Sequence, residues 1–136
     1  MKTLQGTCLC GSVQYSSSQA PTMTAVCHCS DCQKQSGSAF SVNVMIPAEG
    51  FQVNGLTLAS YRVQGGSGMQ VRRFFCSHCG SPLYTEMAAM PGVLAVKAGT
   101  LRNSSTVTPN LHVWCASAQP WVAIDPSLPR FEHTPS

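Results

Sequence analysis

Seven of the eight cysteines in this 136-residue chain fall into three short groups. Cys8-Leu9-Cys10 comes first, then Cys27-His28-Cys29-Ser30-Asp31-Cys32, then Cys76-Ser77-His78-Cys79-Gly80; Cys115 stands alone. Thiols grouped this closely either share a metal ion or form disulfides. Either way, segments far apart in sequence must meet, and this limits the folds open to the chain.

The third group is a CxxC knuckle, in which two thiolates at a tight turn grip one ion and Gly80 permits a left-handed backbone. A structural zinc needs four ligands. The CxC pair can supply the other two, because residues i and i+2 on a strand project to one face. Cys8, Cys10, Cys76 and Cys79 then form a four-thiolate staple that ties the first strand to the middle of the chain. The second group offers three thiolates from one segment. Cys27 and Cys29 are expected on one strand face, with Cys32 arriving from the following turn. Three ligands and an open position characterise a catalytic zinc. His28, His78, His112 or Cys115 could instead close the site. Disulfides are disfavoured by the strained ring a CxC bridge would form.

The 43% apolar content excludes a disordered chain, and the length suits one domain spanning residues 1–136 with a loose tail from His133. No stretch is apolar enough for a signal peptide or a membrane span, so a cytoplasmic location is expected, where thiols stay reduced. The formal charge of +3 suggests a nucleic-acid partner. Seven thiolates on two zinc ions would cancel it, and no Lys/Arg run or basic–aromatic cluster supports that partner. Short strands are expected at 12–15, 22–28, 40–46, 51–53, 57–63, 70–75, 93–97, 111–115 and 121–124. Asn54-Gly55 reads as a hairpin turn. One short helix is expected from a capping box at Ser30-Asp31-Cys32-Gln33, stopped by Gly37, with its N-terminus favouring thiolate at the nearby sulfurs. This pattern predicts a mainly β fold of antiparallel sheets with little helix.

The motifs, in this order, resemble the glutathione-dependent formaldehyde-activating enzyme family, also called CENP-V/GFA. The carrying residues are Gly6-Thr7-Cys8-Leu9-Cys10-Gly11-Ser12-Val13-Gln14-Tyr15, the run Cys27 to Lys34, Phe75 to Ser81, His112-Val113-Trp114 and Pro120-Trp121. The similarity runs from about Gly6 to Phe131. It implies an Mss4-like fold, a structural zinc on Cys8, Cys10, Cys76 and Cys79, and a second, catalytic and more loosely held zinc on Cys27, Cys29 and Cys32. It also implies a carbon–sulfur lyase activity that joins glutathione and formaldehyde as S-(hydroxymethyl)glutathione. Cys115 departs from the family pattern, and reaching the second zinc would close that site. The chain is also shorter than the enzyme that gives the family its name.

On this reading the second zinc holds a substrate thiol as thiolate beside an aldehyde. Lys34, Arg72, Arg73, Lys97 and Arg102 are candidates for the glutathione carboxylates, with Lys34 favoured because it follows Cys32. His28 is expected to point away from the ligands, and His112 to be structural, with a proton carrier as its alternative role. Trp114 and Trp121 are expected to fill core or line a pocket, and Asp31 to support a ligand or a cap. Two other classes remain open: a non-catalytic zinc module for protein interactions, and a different zinc enzyme on the same scaffold.

Overall fold

A computed structural model describes residues 4–134. Ten strands form two sheets. The smaller has the order β1 (Leu4–Thr7), β2 (Gln14–Ser17), β5 (Phe51–Asn54). The larger has seven strands. In sheet order they are β10 (Leu111–Val113), β3 (Met23–Cys27), β4 (Ser41–Pro47), β9 (Val93–Lys97), β8 (Pro82–Met87), β7 (Gln70–Cys76) and β6 (Leu58–Gln64). All pairs are antiparallel except β10 with β3, so the sheet expected to be antiparallel carries one parallel edge. The one α-helix, α1 (Ser30–Ser36), links β3 to β4.

Alternation along the strands gives the large sheet two unlike faces. One carries Val44, Ile46, Leu94, Val96 and Tyr84, which pack with Val13, Tyr15, Phe51 and Val53 of the small-sheet region as the hydrophobic core. Ile46 is fully buried there, so truncation to Ala would cost about 2–5 kcal/mol. The opposite parity carries Cys27, Ser41, Asn43, Lys97, Thr85 and Arg73. Register aligns these as Cys27 with Ser41, Asn43 with Lys97, and Thr85 with Arg73. The same β-pattern thus yields a core face and a polar face, and α1 lies at the polar one, where Arg73 Nη1 donates to Gln35 Oε1 at 3.3 Å.

Several expected elements differ. Asn54-Gly55 is not a hairpin turn, because β5 pairs with β2 while β6 pairs with β7. The dipeptide carries the chain from one sheet to the other. Gly55 has φ +148°, and a Cβ there would lie 2.5 Å from the Ser12 carbonyl oxygen. Close packing against that turn therefore requires glycine. The β1 and β8 strands are additions to the expected set; β8 opens on Pro82, which a sheet tolerates as a first strand residue. The strand expected at 121–124 is absent, and the one from Leu111 stops at Val113 because Trp114 adopts φ +57°. His133, where a loose tail was expected, accepts the Trp114 N–H at 2.8 Å through its carbonyl. Residues 135–136 of that tail lie outside the described residues.

Candidate metal centres

The Cys8–Cys10 pair lies in the turn after β1, not on a strand as expected. The turn brings the two thiols together, Cys8 buried and Cys10 exposed. Cys8 N–H donates to Val13 O at 3.1 Å, and Gly11, at φ +82°, donates to Cys8 O. Cys76 ends β7, and Gly80, at φ +81°, donates its N–H to Cys76 O at 2.7 Å, closing the knuckle. The ligand atoms of Cys8, Cys10, Cys76 and Cys79 lie within 4.8 Å of one another. Cys10 Sγ is 3.6 Å from Cys8 Sγ and 3.8 Å from Cys76 Sγ. A disulfide needs about 2.05 Å. A tetrahedron with Zn–S bonds of about 2.3 Å has edges of about 3.8 Å. The four thiols are free, and their spacing suits the ion.

Hydroxyls surround this cluster. Ser12 Oγ lies 2.9 Å from Cys10 Sγ, Ser81 Oγ 3.2 Å from Cys79 Sγ and Thr57 Oγ1 3.2 Å from Cys76 Sγ. Hydrogen bonding from Ser12 pulls the Cys10 thiol below its ordinary value, and from Ser81 pulls Cys79 down to about 5. Burial pushes Cys8 up. Leu9 N–H donates to Ser81 Oγ at 2.9 Å, joining the two ligand-bearing turns directly.

The second group is built at a strand-to-helix junction. Cys27 is the last residue of β3. Cys29, expected on the same strand, is instead the N-cap of α1, displacing Ser30 from the cap role. Its sulfur accepts the Cys32 N–H at 3.2 Å. Gly37, at φ +69°, ends the helix as expected. The sulfurs of Cys27, Cys29 and Cys32 also lie within 4.8 Å of one another. Among the described residues, no further Cys, His, Asp or Glu joins that group. Cys115 is buried but outside it, and its N–H donates to Phe131 O.

The candidate closing histidines are engaged elsewhere or distant. His28 is fully buried, and its Nε2 lies 2.9 Å from His112 Nδ1. Burial, with neighbouring charge, pushes both rings below their ordinary values. His78 is exposed in the knuckle. Trp114 packs edge-on against His133, but Trp121 is 73% exposed rather than in the core.

Cations separate the two clusters. Lys34, the favoured carboxylate contact, is exposed in the last turn of α1. Arg73 and Lys97 are buried beside the second cluster. Arg73 Nη1 lies 4.0 Å from Cys32 Sγ. Lys97 Nζ donates to Ser41 Oγ at 2.9 Å and to Asn43 Oδ1 at 3.0 Å. Hydrogen bonds from Cys27 and Cys29, then the charges of Lys97 and Arg73, hold the Cys32 thiol well below its ordinary range. Hydrogen bonding to Cys29 and Cys32 pushes Cys27 up. Sequence reasoning could have ranked Lys97 higher, since it ends the otherwise apolar run Val93-Leu94-Ala95-Val96. For Arg73 only strand parity with Val71 offered a signal.

A two-sheet β scaffold with two convergent thiol clusters, each able to hold a metal ion, defines a class of cysteine-anchored β proteins. The chain belongs to the glutathione-dependent formaldehyde-activating enzyme family, matching it over residues 3–117. A crystal structure of a Rhodobacter sphaeroides protein is similar in fold, with a TM-score of 0.59 and 24% identity over 77% of this chain and 91% of that one. No curated protein matches the sequence. Among the described residues, no helix is long and apolar enough to cross a membrane.

Proposed function

We propose that the chain is a zinc-dependent enzyme that forms or splits the adduct of a thiol with an aldehyde, with glutathione and formaldehyde as its reactants. The carrying observation is the convergence of Cys27, Cys29 and Cys32 with no fourth Cys, His, Asp or Glu joining them among the described residues. Cys8, Cys10, Cys76 and Cys79 are the proposed ligands of a structural zinc. Zinc held by Cys27, Cys29 and Cys32 would supply a Lewis acid that keeps a thiol sulfur deprotonated.

The chain's part is to place that sulfur. Backbone bonding at the α1 N-cap fixes Cys29 and Cys32 relative to each other, and pairing of β3 with β4 fixes Cys27. The substrate thiol gives its proton to solvent. Its sulfur attacks the carbonyl carbon, a C–S bond forms, and the carbonyl π pair moves to oxygen, which takes a proton from water. The product is a hydroxymethyl thioether, and the reverse sequence releases aldehyde and thiol. Lys34 is the proposed contact for a glutathione carboxylate.

The test is zinc content, by elemental analysis of protein purified without chelator, together with adduct formation followed by NMR with labelled formaldehyde. Two zinc ions and accelerated adduct formation are expected for the wild type, with one ion and no acceleration for Cys29→Ala. A variant that keeps both ions, or a wild type that leaves adduct formation at its spontaneous rate, would overturn the reading.

A further inference from the structure

An unpaired buried cation is costly, so two of them side by side need an explanation. Arg73 is 7% exposed and Lys97 6%. Among the described residues, neither forms an ion pair with a carboxylate. Burial and the neighbouring Arg73 push the Lys97 ammonium below its ordinary range, and the sulfurs of Cys32, Cys27 and Cys29 act to keep it protonated. Three elements converge to make this arrangement. β9 brings Lys97 to Ser41, which is the cross-strand neighbour of Cys27, and β7 brings Arg73 to Cys32 and Gln35 of α1.

The charge count is specific. Three thiolates around a divalent ion leave one negative charge, and the two cations turn that into one positive charge in surplus. A single monoanion restores neutrality, whereas a neutral ligand leaves the surplus buried. Arg73 also has a donor to spare, because its Nε is buried without a hydrogen-bond partner. So is Oγ1 of Thr85, its cross-strand neighbour. Native interiors rarely leave such groups unmatched, and a water, an ion or a ligand polar atom is what usually completes them.

We propose that Arg73 and Lys97 are specificity-determining residues of the three-cysteine centre, which they leave short of one negative charge so that it takes up a thiolate sulfur in preference to a neutral ligand. This rests on the proposed binding of a metal by Cys27, Cys29 and Cys32.

The experiment uses the full chain loaded with Co(II), whose sulfur-to-metal absorption reports ligand exchange. The protein is titrated separately with 2-mercaptoethanol and with imidazole. Wild type should favour the thiol. Arg73→Met and Lys97→Met should each raise its Kd about tenfold to a hundredfold, the weight of one lost charge a few ångströms away at an intermediate dielectric. Imidazole should bind the variants no more weakly than it binds wild type. The ratio of the two constants is the readout, since general damage to the site moves both together. Arg73→Lys and Lys97→Arg should restore most of the ratio. An unchanged ratio in the Met variants would overturn the inference, as would a wild type that prefers imidazole, which needs no variant to fold. A wild-type spectrum indifferent to both ligands would instead sink the open metal site, and the inference with it.

Discussion

The two cysteine clusters use the same side chain in opposite settings. The first joins two turns separated by more than sixty residues, is partly exposed at Cys10, and is stabilised by the hydroxyls of Ser12, Thr57 and Ser81. The second comes from six consecutive residues, has Cys27 and Cys32 buried, and faces two buried cations rather than hydroxyls. Four thiols across a long chain separation suit a cross-link. Three in one short segment contribute little to chain closure, and their cationic surroundings suit the uptake of an anion. Ligand count, chain separation and local charge are the three respects in which the clusters differ, and the proposed division between holding and reacting rests on them.

The sharpest way to break that contrast is to remove one ligand from each cluster. Cys8→Ala should abolish the folded state at 37 °C, because a structural zinc supplies about 10 kcal/mol or more of apparent folding free energy. Circular dichroism melts with and without chelator would read this. Cys29→Ala should abolish adduct formation yet keep the melt close to wild type, losing about 1 kcal/mol with the helix cap. If the two variants melt alike, the division of labour fails. Gly55→Ala should destabilise the protein by about 1–3 kcal/mol through backbone strain at the Ser12 turn. Zinc in the three-cysteine centre should be unchanged, as checked by denaturant titration and elemental analysis. The smallest effect belongs to Lys34→Ala. An exposed charge there should alter KM for glutathione by no more than about fivefold and leave kcat unchanged. A larger effect on kcat than on KM would move Lys34 into the chemistry.

Much of this was legible in the residues. The grouping of the thiols into four and three needed only their spacing, and the short helix was placed by its stop at Gly37, although its cap is Cys29 and not Ser30. The strand parity that would explain the CxC pair was wrong in detail. A turn and an N-cap orient those sulfurs, since backbone hydrogen bonds can aim two alternate side chains together without a strand. The hairpin expected at Asn54-Gly55 failed because glycine tolerance reports a local conformation, not which sheet the next strand joins. Arg73 and Lys97 escaped emphasis because charge in a sequence carries no burial label. Their importance depends on the register between β4, β9, β8 and β7, which only the assembled sheet reveals.

The long separation within the first cluster also has a consequence in time. At about 5–20 residues per second of synthesis, the second cluster is complete within roughly a second of Cys27 emerging. Cys10 waits for Cys76, 66 residues on, or about 3–13 seconds. During that interval Cys8 and Cys10 lack Cys76 and Cys79 and are open to oxidation, while the three-cysteine segment, already complete, can compete for metal. The cross-link proposed for the first cluster therefore closes only once more than half of the chain has been made. Pulse-labelling of stalled nascent chains should find Cys8 and Cys10 reactive until Cys79 has emerged.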